Sequence, residues 1–320
     1  MLDQIGFYTL SDERARTATI NTPITRAEVI VTGACQFKCP YCRGLQDDIN
    51  GTMELGLLKD NLNVLFDNHT KNIRFSGGEP TLYKHLNYAV CLSRDNGCER
   101  IAVSSNGYND IEVYHKLIQN GVNDFSISLD ACCSSIGDMM SGVKNSFSRV
   151  VDNIAEISKL VYTTVGAVLN EDNFNTVVDV IEYADSLGVS DIRIIPSAQY
   201  NKRFVFPRAI SKEILNKYPI LNYRVNNFNN GIRVRGITKT DCRYCPLVLD
   251  DVAIAGMYHF PCIIYMRERG DPIGIVDNDM RSKRGEWYIK HDTHLDPICY
   301  ANCLDVCIDY NNEWEKQHQW

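Results

Sequence analysis

The sequence predicts an α/β fold, a parallel sheet with helices on its outer face, followed by a cysteine-rich C-terminal extension. Two observations carry this expectation. Strand and helix signals alternate over residues 27–200, and six of the 13 cysteines fall in the last 80 of 320 residues.

Taken in order, residues 27–32 read as a first strand and residues 55–66 as a helix of apolar period. A second strand begins at Ile73 and runs into Gly77-Gly78-Glu79-Pro80, and a helix over residues 83–96 follows it. The third strand, 101–104, precedes Ser105-Asn106-Gly107 and a helix over 111–120. The fourth, 125–130, ends on Ser128-Leu129-Asp130, and Cys132-Cys133 follow it. A helix at 147–160, a strand at 161–169, a helix at 174–187 and a strand at 191–195 complete six units. Gly188 is placed to stop its helix and Pro196 to end the last strand. Ligands in such a fold bind at the strand C-termini, where each of these polar tips falls. The expected organisation is an N-terminal extension (1–26), an α/β region (27–200), and a connector with a cysteine-rich region (201–320), residues 201–230 being the connector.

Composition agrees with a metalloenzyme. The chain is 44% hydrophobic and 23% charged, which reads as globular. Its start has no basic region leading an apolar run, and no stretch reaches about 18 consecutive apolar residues, so neither an export signal nor a membrane span is expected. An odd number of cysteines in such a chain argues for reduced thiols and metal ligation in the cytoplasm. A net charge of −7 gives no support to nonspecific nucleic-acid binding.

The chemistry is concentrated in Cys35-Gln36-Phe37-Lys38-Cys39-Pro40-Tyr41-Cys42. Three thiolates on one short loop hold three irons of a [4Fe–4S] cube and leave the fourth iron without a protein ligand. Glycines at a strand end, as at Gly77-Gly78, let backbone approach a ligand closely. Cys35, Cys39 and Cys42 followed by Gly77-Gly78-Glu79-Pro80 resemble the radical S-adenosylmethionine (radical SAM) superfamily, whose fold is a partial (β/α)6 barrel. The resemblance implies that the open iron chelates the amino and carboxylate groups of S-adenosylmethionine. It also implies reductive cleavage to a 5′-deoxyadenosyl radical that abstracts hydrogen from substrate, with electrons from a flavodoxin- or ferredoxin-type reductant. By the same resemblance Tyr41 lies against adenine, Gly77 and Gly78 meet the methionyl amino group, and Glu79 and Pro80 hold that loop. Ser105, Asn106, Ser128 and Asp130 occupy cofactor-facing strand tips. Lys144 and Arg149 are candidates for the carboxylate, or else a solvated helix start.

In the tail, Cys242-Arg243-Tyr244-Cys245 with Cys262 begins a metal site. Cys299, Cys303 and Cys307 share one stripe if the segment is helical. The region is similar to the C-terminal extensions of cluster-bearing radical enzymes, of the molybdopterin-precursor cyclase type and of the SPASM and twitch type. That resemblance implies a second [4Fe–4S] cluster, with four-thiolate zinc as the alternative; Cys242, Cys245, Cys262, Cys299 and Cys303 are the candidate ligands. The tail Gln317-His318-Gln319-Trp320 lacks the cyclase's terminal Gly-Gly. Cys132, Cys133 and Cys307 are candidate hydrogen-atom donors to a product radical, with packing the alternative at Cys132 and Cys133. Cys91 and Cys98 read as packing residues. His291 and His294 have ligand-like spacing but read as solvated residues of an exposed turn. Tyr265, Arg267 and Glu268 are either polar-substrate contacts or a surface ion-paired group.

Segments 125–133 and 259–268 faintly resemble small radical proteins of tailed bacteriophages. This implies rearrangement of an amino-acid-modified thymine in phage DNA, in the host cytoplasm. Epimerisation or crosslinking of a ribosomal peptide, or modification of a small metabolite, is the second reading, and a non-catalytic iron–sulfur redox protein the third.

Overall fold

The computed structural model describes residues 12–197 and 205–318. In chain order the elements are α1 (Asp12–Thr17), β1 (Arg26–Thr32), α2 (Leu55–Asp67), β2 (Asn72–Gly77), α3 (Leu86–Asp95), β3 (Arg100–Ser105), α4 (Ile111–Asn120) and β4 (Asp124–Ser128). Then come α5 (Ser134–Ser141), α6 (Ser146–Ile157), β5 (Tyr162–Leu169), α7 (Val177–Ser186), β6 (Asp191–Pro196), α8 (Lys212–Lys217) and α9 (Pro219–Asn229). The chain ends through β7 (Asp251–Ala255), β8 (Tyr258–Phe260), α10 (Ile263–Arg267), β9 (Gly274–Ile275), α11 (Met280–Lys290), α12 (Pro297–Asn302) and α13 (Asp305–His318). The expected alternation through β6 is present, with helix starts shifted where short 3-10 turns at Pro80–Leu82 and Phe174–Thr176 precede α3 and α7.

The chain divides into two compact units, one comprising Met1–Ala34, Arg43–Ala102 and Arg235–Trp320, the other Cys35–Cys42 and Val103–Val234. In the first unit β1 is parallel to β2 on one side and to β7 on the other, so Val29 pairs with both Phe75 and Ile254. β7 then turns antiparallel into β8, and β8 into β9. A strand covered on both faces is apolar along its length rather than alternating; Val29, Ile30, Val31, Val252, Ala253, Ile254 and Ala255 are all buried. β7 was not expected from the sequence. Val252-Ala253-Ile254-Ala255 is a run too short to tell strand from core helix by periodicity. Arg26 at the start of β1 makes a buried ion pair with Asp251 at the start of β7.

The buried residue that ties this region together is Arg284 of α11, which is fully inaccessible. Its guanidinium donates to the carbonyls of Val248 (2.9 Å), Phe260 (2.9 Å), Pro261 (3.1 Å) and Asp251. It also lies 3.2 Å from His259 Nδ1, which must accept because guanidinium has only donors. Burial, then the Arg284 and Lys283 charges, push His259 down to about 2. The sign follows from linkage: below the ordinary histidine value near 6.5 the unfolded chain takes up a proton that the native state refuses. Stability is therefore fully present above that pH and declines as pH falls. Between pH 6.5 and 5 the expected loss from this residue is about 2 kcal/mol. Urea unfolding at pH 7.5 and 5.0 checks it, because His259→Asn, which keeps an acceptor for Arg284, lacks this component.

In the second unit β4, β5 and β6 are parallel and in register, Ile127 opposite Val165 and Val165 opposite Ile192. Within residues 201–230, of which 201–204 lie outside the described residues, the chain forms α8 and α9. Ser211 caps α8, accepting from the Ile214 amide at 3.2 Å, and Pro219 opens α9. α9 docks through the Asp191 carboxylate of β6, which accepts the Ile220 amide at 3.1 Å. The polar composition hid this helix, since Arg224 and Asn227 are buried in it beside Leu221 and Val225.

The single helical stripe expected for Cys299, Cys303 and Cys307 is also overturned. α12 ends at Asn302, Cys303 is extended (φ −55°, ψ 132°), Leu304 bridges Arg235, and α13 begins at Asp305. Asp296 and Pro297 start the first helix, and the bridge to Arg235 stops it from running into the second.

Candidate functional site

The cysteine loop belongs to the second unit. It is pinned there by the Lys38 amide on the Ser141 carbonyl (2.7 Å) and by Phe37 against Tyr108, ring centroids 5.4 Å apart. Cys35 and Cys42 are exposed and Cys39 is half-buried. Cys35 Sγ accepts from the Phe37 amide at 3.4 Å and from Asn106 Nδ2 at 3.8 Å. Burial, then the Asp130 carboxylate, push the Cys39 thiol up to about 12, with Cys42 and Cys35 adding to the effect. Three sulfur donors on one short loop are a set completed by cationic iron.

The Tyr41 hydroxyl donates to Asp130, whose other oxygen accepts the Val168 amide at 2.7 Å. Burial pushes the Asp130 carboxyl up to about 6 against these two bonds. Ser105 Oγ is engaged by Tyr114 (3.1 Å) and by the Gly107 amide (3.0 Å), shaping the turn that presents Asn106. Ser128 is exposed at the tip of β4. Burial, then Cys133 and Asp179 of α7, push the Cys132 thiol up, while Cys133, at the residue before α5, is lowered by the Ser135 hydroxyl. Lys144 is exposed, and Arg149 pairs with Asp110 at 3.4 Å and covers the Tyr108 ring.

The glycine loop belongs to the first unit. The Gly78 amide donates to Thr32 O and the Glu79 amide to Ala34 O, both at 2.7 Å. A Cβ on Gly77 (φ +150°) would stand 2.2 Å from Thr32 O, and one on Gly78 would stand 2.4 Å from Ala34 O. Neither position admits a side chain without moving backbone. Glu79 is fully buried; its Oε1 accepts the Thr81 amide (3.0 Å) and hydroxyl (2.7 Å), with Pro80 opening the 3-10 turn. Arg267 of α10 donates to Gly77 O (2.8 Å) and Gly44 O (2.9 Å), and Glu268 pairs with Arg43. Arg267 and Glu268 are thus internal ties rather than surface ions. Nothing in their sequence context pointed to this, because the partners, backbone carbonyls for Arg267 and the Arg43 side chain for Glu268, are about 190 or more positions away.

Six tail cysteines converge. Cys242, Cys245, Cys262, Cys299, Cys303 and Cys307 line one apolar cavity with Leu247, Ile264 and Ile308. Cys307 acts electrostatically on Cys245, Cys262 and Cys303, and Cys245 on Cys262 and Cys303. Cys299 acts with Cys245 and Cys262, and Cys242 with Cys245. Burial pushes Cys245 up to about 12 and Cys242 to about 11. Cys307 thus stands within the thiol group and not apart from it. His291 and His294 are half-buried rather than fully exposed: His291 stacks on Trp287 with centroids 3.8 Å apart, and His294 Nε2 is 3.1 Å from the Asp241 carbonyl.

Residues 29–184 match the family model of the Radical SAM superfamily. The chain carries a radical SAM domain over those residues. Curated relatives of this radical SAM chain include a Saccharolobus solfataricus protein named "Probable GTP 3′,8-cyclase", 27% identical over 179 residues, covering 54% of this chain and 57% of that protein. The GTP 3′,8-cyclase of Actinobacillus pleuropneumoniae is 27% identical over 143 residues, 42% of this chain and 41% of its own. The chain thus spans about half the length of the curated relatives it matches. Among solved structures, native anSMEcpe with bound AdoMet superposes with a TM-score of 0.60 at 15% identity, over 92% of this chain and 96% of that one. Streptococcus suis SuiB bound to S-adenosylmethionine superposes at 0.59 and 15% identity, over 87% and 67%. At these identities the likeness is one of fold, and it bears out the partial (β/α)6 barrel with a C-terminal extension.

The cofactors of this radical SAM protein are a [4Fe–4S] cluster and S-adenosylmethionine, and the residues present fit them. Cys35 already receives two N–H donors, and the glycine loop keeps the close backbone approach that a Cβ would fill. No helix among the described residues is long and apolar enough to cross a membrane. Residues 319 and 320 of the tail, and residues 1–11 of the expected N-terminal extension, lie outside the described residues.

Proposed function

We propose that Cys35, Cys39 and Cys42 ligate the first cluster and that the backbone of Gly77 and Gly78 takes the methionyl amino group. Four of the tail cysteines, Cys245, Cys262, Cys303 and Cys307, ligate a second [4Fe–4S] cluster. When bound, the first cluster and S-adenosylmethionine supply a 5′-deoxyadenosyl radical for hydrogen abstraction, with electrons from a flavodoxin- or ferredoxin-type reductant. Glu79 and Arg267 hold the glycine loop, Asn106 orients Cys35, and Asp130 positions Tyr41. Cys132 and Cys133 remain candidate hydrogen-atom donors.

The observation that carries this reading is the glycine loop, closed against Thr32 and Ala34 with no room for a side chain. A carrier of electrons has no need of such a loop. Gly78→Ala is expected to abolish reductive formation of 5′-deoxyadenosine while leaving iron and sulfide content unchanged. Retained cleavage would refute the assignment.

For the substrate, the reading is rearrangement of an amino-acid-bearing thymine of phage DNA, in the host cytoplasm. It is supported by curated relatives whose name gives a nucleotide, GTP, as what they act on. The second reading is a ribosomal peptide, supported by SuiB bound to precursor peptide SuiA, whose fold likeness covers 89% of this chain and so reaches the cysteine-rich region. Reduced holoenzyme given S-adenosylmethionine with either hypermodified oligonucleotide or peptide separates them. A mass-neutral change of the base supports the first, and a changed peptide residue overturns it. Retention on duplex DNA at low salt, lost as salt rises, is a further mark of the first reading.

A further inference from the structure

At the rim of the cysteine cavity His291, Asp296 and Cys299 bring an imidazole nitrogen, a carboxylate oxygen and a sulfur within 4.8 Å of one another. His291 Nε2 lies 3.8 Å from Cys299 Sγ and 3.5 Å from Asp296 Oδ2. Zinc bond lengths of about 2.0–2.3 Å in a tetrahedron give ligand–ligand edges of roughly 3.3–3.8 Å. Two edges are therefore already at the required length.

Asp296 and His291 are each oriented by further contacts. Asp296 Oδ1 accepts the amides of Ile298 (2.8 Å) and Cys299 (2.9 Å), which turns Oδ2 toward His291. The Tyr265 hydroxyl donates to Asp296 Oδ2 at 2.8 Å. Trp287 stacks on the His291 ring at an interplanar angle of 16°, fixing the direction of Nε2. Such outer contacts are what hold metal ligands in place. The side chains of His291 and Asp296 are only 17% and 12% exposed, unlike a solvated surface triad.

Protons alone satisfy the trio poorly. A neutral imidazole nitrogen either donates or accepts. Nε2 faces two bases, so it can take the thiol proton or give its own to Asp296, and not both. A divalent cation satisfies all three lone pairs together, and a mixed sulfur, nitrogen and oxygen set suits borderline-soft zinc.

We propose that His291, Asp296 and Cys299 form a zinc site, separate from both iron–sulfur clusters, whose fourth position is left to water or a substrate heteroatom. This division assigns Cys299 to zinc and leaves Cys245, Cys262, Cys303 and Cys307 for iron. The zinc site does not depend on the second-cluster reading, because zinc and iron are counted separately.

The test uses anaerobically reconstituted holoenzyme, given zinc or cobalt(II) and desalted. The wild type is expected to retain one zinc per chain, and with cobalt to show a thiolate-to-metal charge-transfer band and tetrahedral ligand-field bands. His291→Ala and Asp296→Asn are each expected to lose that metal and those bands with iron and sulfide unchanged; Asp296→Asn keeps an acceptor for the α12 amides. A wild type without retained zinc overturns the proposal, as does zinc that persists in both variants. Loss of about four irons in Cys299→Ser would make that thiol a cluster ligand and overturn it too.

Discussion

A variant with Cys35, Cys39 and Cys42 all replaced by alanine is expected to form no 5′-deoxyadenosine and still to retain about four irons and four sulfides per chain. The wild type should hold about eight of each. The first half of the expectation follows from chemistry: without three thiolates no cluster with an open iron assembles on that loop. The second half follows from the tail, where Cys245, Cys262, Cys303 and Cys307 come from separate segments into one apolar cavity. Excluding water in this way stabilises a cluster against hydrolysis and sets its potential. Iron analysis and electron paramagnetic resonance of the reduced variant check both halves. If the variant holds no iron and a zinc in addition to the one at His291, Asp296 and Cys299, the tail centre is structural and only the first cluster is redox-active.

Replacement of Arg284 by methionine is expected to destabilise the protein by about 4 kcal/mol, among the largest single-residue losses in this chain. Four buried carbonyls and His259 Nδ1 lose their donor at once, and methionine offers none in return. Each buried polar group left without a partner costs on the order of 1–3 kcal/mol, and loss of the desolvated charge itself offsets part of the sum. Arg284→Lys is expected to recover only a fraction, since a single ammonium cannot span acceptors that a planar fork reaches in three directions. Thermal or urea unfolding of the holoenzymes measures the series. A loss under 1 kcal/mol for the methionine variant would mean that water or rearranged backbone replaces the guanidinium.

How much of this was legible beforehand differs from element to element. β1 to β6 were legible because each is a largely apolar run closed by a polar, glycine or proline residue, and α4 falls on the expected residues, Ile111–Asn120. The cysteine loop and the glycine loop were legible because their spacing is local. α9 was not, because burying Arg224 and Asn227 erases the apolar period on which a helix is read. The break at Cys303 was not, because it depends on a bridge between Leu304 and Arg235, some seventy positions apart. The same distance problem hid the environment of His291: its polar neighbours in sequence suggested solvent, whereas Trp287 one turn earlier covers it. Sequence separates residues by position, and function here gathers them by side-chain partner.

The parallel pairing of β7 with β1 bears on how this enzyme can be divided or recombined. β1 delivers the chain to the cysteine loop, and one of its two edges is closed by a strand that arrives more than two hundred residues later. A truncation ending near residue 200 would bare that edge, leave Arg26 without Asp251, and present an apolar strand as a template for self-association. The tail is therefore not a cassette that could be exchanged for another specificity module while the catalytic portion stays intact.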